Sequence, residues 1–240
     1  MNTFFLDRLN SEPHALAFAG QSTPWPVALA DQSANPALDE ALHTHAAAAQ
    51  ALLYPVSAEL LATTGRPVDL FGFEPNPARL GAAAAASASV PGIALTQLGA
   101  LLDAAALGYN PTQAKPVAVL GHSQGVLAVH MVQAICEAGS IDAAAAKIDE
   151  ILAIATLIGV AGTRQARQLG LAARHGEATP MLSVKDITRA QVDALIERVD
   201  GARGPIAVAV TNSATHYVLS GYPEDLAAFG VEVAKEDRKS

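Results

Sequence analysis

The chain has 240 residues, a formal net charge of −8 and 51% hydrophobic residues. This length and hydrophobic content allow one large domain, or one domain with a small satellite. The acidic balance argues against a nucleic-acid partner, and no cluster of basic residues predicts binding to a membrane surface.

Two features bear on the compartment in which the chain works. Cys136 is the only cysteine, so no disulfide can form within the chain, and we expect a reducing, cytoplasmic location. Residues 1–20 lack the basic start and continuous apolar stretch of a signal peptide. We also expect no membrane span, because the apolar stretches look too short.

The first half of the chain predicts mixed α/β structure. The apolar run ALAFA at 15–19 indicates a strand, and the loop that follows begins with GQST at 20–23. Pro24 and Pro26 are expected to keep this loop irregular. Helices are expected at 37–64, with a break at Pro55, and at 90–107, ending at Gly108.

The segment 116–138 carries the most informative motif. The apolar run PVAVL at 116–120 predicts a strand, GHSQG follows at 121–125, and VLAVHMVQAICEA at 126–138 predicts a helix. Strand, GxSxG and helix together form a nucleophile elbow, a sharp turn that exposes its serine at the end of a strand. Ser123 would then lie at a helix N-terminus, where free backbone N–H groups face developing negative charge. The alternative is a purely structural tight turn.

The second half predicts two long helices and then a smaller unit. Helices are expected at 141–147 and 148–169, strands at 180–184, 206–210 and 217–219, and helices at 188–199 and from Pro223 onward. The order β-α-β-β-α is a split βαβ unit that lacks its last strand. We therefore expect a core domain at 1–177 and a satellite subdomain at 178–240, incomplete at its C-terminus.

With these motifs in place, the chain resembles the acyltransferase domains that load acyl groups from coenzyme A onto acyl carrier protein. Within that family it is similar to the N-terminal acetyltransferase domain of bacterial multifunctional (type I) fatty acid synthases. The resemblance runs from FAGQ at 18–21 through GHSQGVLAV, LIGVAGT and TNSATHYVLSG. It implies an α/β-hydrolase-like parallel-sheet core with a small ferredoxin-like subdomain.

The resemblance also implies the roles of several residues. Ser123 matches the nucleophile that carries the acyl group as an ester. The backbone N–H groups of Gln21 and Gln124 match the two donors of the oxyanion hole. His122, Ile158 and Asn212 match positions around the substrate pocket, although Asn212 reads equally well as a turn residue.

Substrate choice follows from one of these positions. Malonyl-transferring relatives carry an arginine, followed by glycine, whose guanidinium pairs with the malonyl carboxylate. The matching stretch here is Leu157-Ile158-Gly159-Val160, with Ile158 in place of the arginine. A buried carboxylate without a partner is costly, so we expect a neutral short acyl group, with acetyl the first choice. Arg164 is the alternative anchor if the alignment is shifted.

The expected general base is missing from the sequence. The family uses a histidine in a short FH motif beyond the satellite subdomain, and none of the seven histidines lies in such a motif. We therefore expect the front portion of a longer polypeptide, with low activity unless another segment supplies the base.

The implied function is acetyl transfer from acetyl-CoA, through a seryl ester, to the phosphopantetheine thiol of acyl carrier protein. Acetyl-CoA is a substrate and the pantetheine belongs to the carrier, so no bound cofactor or metal is implied. The expected partners are the carrier domain and other downstream domains of a large homo-oligomeric synthase, with no nucleic acid or membrane. Two alternatives remain open, a serine hydrolase of the α/β-hydrolase type and a non-catalytic structural piece of a megasynthase.

Overall fold

The computed structural model describes residues 3–20, 24–64, 69–71, 86–168, 181–199 and 204–237. It divides into two compact units, residues 1–165 and 166–240. The domain boundary expected at 177 and 178 lies outside the described residues.

The first unit is a helical body around a short parallel sheet. Its strands are β1 (Ala15–Phe18) and β2 (Ala118–Gly121), and its helices are α1 (Thr3–Ser11), α2 (Trp25–Ser33), α3 (Pro36–Leu52), α4 (Ser57–Thr64), α5 (Ala86–Ala106), α6 (Pro111–Ala114), α7 (Val126–Ala138) and α8 (Ile141–Gln168), the last of which runs past the unit boundary. The two strands pair in parallel from Ala15 with Ala118 to Phe18 with Gly121. This mixed α/β fold with a parallel sheet confirms the expected fold class.

Helix α5 forms the centre of the first unit. Fourteen of its residues are buried, and Leu95 and Leu98 are fully so. Trp25 packs directly on this helix, because a Cβ placed at Gly92 would lie 2.5 Å from its ring. Contrary to expectation, α5 is long and apolar enough to cross a membrane, but 72% of its apolar window is buried inside the protein. Such burial is typical of a core helix.

Two predicted elements differ from the structure. Part of the loop that Pro24 and Pro26 were expected to keep irregular is helical, because helix α2 begins at Trp25 and has Pro26 in its first turn, while residues 21–23 lie outside the described residues. Proline is well tolerated there, since the N–H that it lacks has no intrahelical acceptor. The two helices expected at 141–169 are the single 28-residue helix α8, and the expected break at Pro55 is confirmed as a 3₁₀ turn at Tyr54–Val56.

The second unit is a three-stranded antiparallel sheet with two helices, confirming the expected β-α-β-β-α order. Its elements are β3 (Met181–Lys185), α9 (Arg189–Val199), β4 (Ala207–Ser213), β5 (His216–Ser220) and α10 (Pro223–Asp237). The strand order is β3-β5-β4. Its own hydrophobic core includes Val192, Leu219 and Phe229, all fully buried.

Candidate active site

Ser123 lies at the turn between β2 and α7, in the conformation of a nucleophile elbow. Its φ is +54°, a left-handed conformation that costs a non-glycine residue about 1–3 kcal/mol and persists only where the surroundings enforce it. A 3₁₀ turn at Ser123–Gly125 leads directly into α7. The residue is exposed, so the strained turn presents the serine to solvent at the end of a parallel strand.

The two glycines of GHSQG are required because backbone segments pass each other without room for a side chain. A Cβ at Gly121 would lie 2.5 Å from the carbonyl carbon of Gly125. A Cβ at Gly125 would overlap the carbonyl oxygen of Phe18 and lie 2.8 Å from its carbon. Any side chain at either position would force β1, β2 and the elbow apart.

The end of β1 supports the serine from the other side. A Cβ at Gly20 would lie 2.6 Å from the carbonyl oxygen of His122, 2.8 Å from Ser123 Cβ and 3.3 Å from the backbone nitrogen of Gln124. The pairing of β1 with β2 continues into the elbow, where His122 N donates to Phe18 O at 3.0 Å. The chain around Gly20 therefore packs directly against Ser123.

The backbone beside Ser123 can stabilise negative charge. Gln124 is the second residue of the 3₁₀ turn, and the first N–H groups of a helical segment have no intrahelical acceptor. Such donors, added to the helix dipole, suit a tetrahedral oxyanion on a carbonyl attacked by Ser123. The second expected donor, Gln21, lies outside the described residues.

The structure places the three expected pocket residues as follows. His122 is exposed and immediately precedes Ser123 in extended conformation. Ile158 lies on α8 with 52% of its surface exposed. Its neighbour Gly159 packs on the start of α5, since a Cβ there would lie 3.0 Å from the carbonyl carbon of Ala86. Asn212, in the second unit, is exposed on β4.

The second unit also contains a polar cluster on its sheet. The Nε2 of His216 lies 3.0 Å from Ser183 Oγ and 3.4 Å from Asn212 Nδ2. Sequence reasoning singled out Asn212 but not its contact with His216, because the two residues belong to adjacent strands.

Other histidine rings in the first unit have partners of their own. His14 Nε2 lies 2.8 Å from the hydroxyl of Tyr109. His45 Nδ1 lies 2.6 Å from an Asp149 carboxylate oxygen, and both side chains are mostly buried. His43 Nδ1 contacts the backbone oxygen of Asp39 at 2.9 Å, while exposed His130 lies along α7. His175 lies outside the described residues, and none of these histidine contacts reaches Ser123.

Sequence reasoning missed Gln97, which lies on α5 with 8% of its surface exposed. Its Nε2 donates to the carbonyl oxygen of Ala19 at 2.5 Å, at the end of β1. The available signal was an amide within an almost wholly apolar helical stripe.

Comparison with known proteins agrees with this geometry. A family model described as starter unit:ACP transacylase in aflatoxin biosynthesis matches residues 74–240. The fatty acid synthase beta subunit hexB of Dothistroma septosporum (strain NZE10 / CBS 128990) is 30% identical over 128 residues, which cover 48% of this chain and 7% of that protein.

Solved structures share the fold. The acyl-carrier-protein-S-malonyltransferase of Bartonella henselae superposes with a TM-score of 0.50 at 19% identity, covering 94% of this chain and 60% of that one. A malonyl-transacylase solved in complex with its type II PKS acyl-carrier protein (PlMCAT:AntF, holo) gives a TM-score of 0.50 at 17% identity, covering 91% and 58%. The chain thus spans about 60% of the length of the solved relatives. With a nucleophile elbow at Ser123 and a family match over residues 74–240, the chain belongs to the starter unit:ACP transacylase family of acyltransferases.

Proposed function

We propose that the chain transfers a short neutral acyl group, acetyl, from coenzyme A through Ser123 to the pantetheine thiol of an acyl carrier protein. The observation that carries this proposal is the left-handed backbone conformation of Ser123, which lies between the two glycines of GHSQG at the N-terminus of a helix. In the first half-reaction the Ser123 oxygen attacks the thioester carbonyl and gives up its proton to a base. The tetrahedral oxyanion then collapses, the C–S bond breaks and coenzyme A leaves as a thiol.

The second half-reaction returns the serine to its free state. The carrier thiol gives up its proton to the base and attacks the seryl ester, and a second oxyanion forms in the same place. The C–O bond to Ser123 then breaks, the serine oxygen regains a proton, and the acyl group leaves as the carrier thioester. The carrier protein as partner is supported by the family's description and by the solved complex of a related fold with its carrier. We further propose a multifunctional, cytoplasmic type I synthase as the setting. The match to a small part of a fatty acid synthase subunit supports the multifunctional setting, and the motifs GHSQGVLAV and LIGVAGT support the bacterial branch.

The preference for acetyl rests on Ile158. A branched alkyl side chain offers no hydrogen bond to a malonyl carboxylate, so binding malonyl would leave that charge unpaired. Arg164, the alternative anchor, is engaged with Glu59 in an exposed ion pair. That engagement supports Ile158 as the position that decides specificity.

The test is intact-protein mass after separate incubation with acetyl-CoA and malonyl-CoA, with Ser123→Ala as the control. An acetyl adduct on the wild-type chain alone supports the proposal. The assay reads the covalent ester rather than turnover, since the base expected from the family is missing from the sequence. An adduct that persists on Ser123→Ala would place the chemistry elsewhere, and an ester hydrolysed in water without any transfer to a carrier thiol would favour a serine hydrolase.

A substitution at Ile158 tests the preference for acetyl over malonyl. Ile158→Arg supplies the guanidinium that malonyl-transferring relatives use, and we expect the ratio of malonyl to acetyl adduct to rise at least about tenfold, since a charge-assisted pair contributes about 1.5–3 kcal/mol. Ile158→Leu is the matched control and should leave the ratio unchanged. An unchanged ratio in Ile158→Arg would show that residue 158 does not face the acyl group.

A further inference from the structure

We propose that Gln97 is a positioning residue that holds the Ala19–Gly20 segment against Ser123, so that the rate of Ser123 acylation depends on its side-chain amide. The inference rests on the proposed function, because it concerns the same serine. It adds a residue on α5, more than twenty positions from GHSQG in the chain.

The Gln97 amide is hydrogen-bonded to the chain at the end of β1. Nε2 donates to Ala19 O at 2.5 Å, and the reverse orientation would bring two acceptor oxygens together. The other end of the amide, Oε1, is buried and accepts no hydrogen bond from the part of the chain that the structure describes. An unsatisfied buried oxygen costs about 1–3 kcal/mol. An apolar side chain of similar size would avoid that cost, so packing alone does not account for a glutamine here.

The acceptor of this hydrogen bond, Ala19 O, lies close to the elbow. A Cβ built at Gly125 would lie 3.0 Å from this oxygen, so Ala19 O lies between the Gln97 amide and the elbow. The next residue, Gly20, packs on the nucleophile, with its Cβ position 2.8 Å from Ser123 Cβ and 3.3 Å from Gln124 N. Two backbone residues therefore connect the Gln97 amide to the serine and to the expected oxyanion donor.

The segment that Gln97 holds contains a glycine. Glycine has the widest choice of backbone conformations, so the position of Gly20 depends on how the chain around it is held. Gln97 extends from the most buried helix of the first unit, so its amide ties a permissive residue to a rigid element. Removing the donor removes this constraint on the Ala19–Gly20 peptide, and a displacement of about 1 Å at a reacting centre can cost about 100-fold in rate.

The chain contains a matched control in Gln32. Its Nε2 donates to Thr96 O at 2.9 Å, and its Oε1 is likewise buried with no partner in the described part of the chain. It packs on Gly99 of α5, where a Cβ would lie 2.6 Å from its Cδ. Gln32→Met therefore removes a hydrogen bond of the same type, which α5 accepts, and leaves the Ala19–Gly20 segment beside Ser123 unchanged.

The experiment measures labelling of Ser123 in the 240-residue chain by a fluorophosphonate and, separately, by acetyl-CoA, at several reagent concentrations. We expect Gln97→Met to lower the maximal labelling rate about 10- to 100-fold, with the half-saturating concentration changed less than about threefold. Gln32→Met should stay within about twofold of wild type. If Gln97→Met does not fold, Gln97→Asn, which keeps the amide but is one methylene too short for Ala19 O, should show the same loss.

The outcomes separate this inference from the proposed function. Wild-type labelling by the fluorophosphonate but by no CoA ester would defeat the transferase proposal, while the fluorophosphonate series still tests Gln97. A folded Gln97→Met or Gln97→Asn that reacts at the wild-type rate overturns the positioning role, as does an equal loss in Gln32→Met. A wild-type serine inert to both reagents would remove the Ser123 assignment and this inference together.

Discussion

Gly125→Ala tests whether the elbow depends on the close passage of β1. The φ of Gly125 is −58°, which alanine adopts freely, so the substitution changes only the space that is filled. The new Cβ would lie 2.8 Å from Phe18 C and 3.0 Å from Ala19 O, whereas carbon contacts are normally about 3.5–4.0 Å apart. The strand and the elbow must separate by several tenths of an ångström, and both sides are backbone that cannot rotate away.

The magnitude follows from this forced separation. Overpacking of this kind costs about 1–3 kcal/mol, which corresponds to a Tm lowered by about 2–12 °C for a chain of this size. The labelling rate of Ser123 should fall by about 100-fold, since the displaced groups surround this serine. Trp25 is the only tryptophan, and 3% of its surface is exposed, so its fluorescence during urea unfolding reports on the first unit.

Gly139→Ala is the matched control for stability. Gly139 has a φ of +88°, and nothing lies within 4 Å of its added Cβ. Alanine there should cost about 1–2 kcal/mol through its left-handed conformation alone, while Ser123 reacts at the wild-type rate. The reasoning is refuted if Gly125→Ala unfolds and reacts like wild type, or if Gly139→Ala loses labelling to the same extent.

Two further predictions concern polar pairs in the first unit. Tyr109→Phe removes the 2.8 Å contact with His14 and should lower the free energy of unfolding by about 1 kcal/mol at neutral pH. Burial raises the pKa of Tyr109 in the folded state. The protonated phenol therefore stabilises the fold fully below the unfolded pKa of about 10, and this stabilisation is lost as the pH rises through the higher folded pKa. In urea titrations above pH 10, the free energy of unfolding should therefore fall less steeply with pH for Tyr109→Phe than for wild type. His45→Leu leaves the mostly buried Asp149 carboxylate without its 2.6 Å partner and should cost about 1–3 kcal/mol in the same titration, with Asp149→Asn in the His45→Leu background recovering part of it. If Asp149→Asn recovers none of the lost free energy of unfolding, the Asp149 carboxylate is solvated by water and does not depend on His45.

Local sequence patterns were sufficient for most elements and for the sharp turn at Ser123. β2, α7 and the glycines around Ser123 follow from an apolar run, a turn motif and a helical stripe within 116–138. The β-α-β-β-α order of the second unit was equally readable, because each element is short and bounded by turn residues. The start of α2 was not, since Pro26 indicates both a loop and the first turn of a helix, and only packing of Trp25 on α5 decides between them.

The contacts that escaped prediction join segments that are distant in the chain. The bond from Gln97 to Ala19 joins residues 78 positions apart, and no local pattern specifies it. The contact of His216 with Ser183 likewise depends on which strands of the second sheet are neighbours. The single helix α8 was divided in two because its alanine-rich start and apolar middle differ in composition, although nothing between them breaks a helix.

The register of β1 with β2 has a consequence for how the site comes into being. Phe18 lies opposite Gly121, so this pairing brings together two halves of the site that are about a hundred residues apart in the chain. A contact of such sequence separation carries a large loop-closure entropy and forms slowly. Reactivity of Ser123 should therefore appear late in refolding, after helical signals have recovered, and a peptide holding only strand, turn and helix should not react at all.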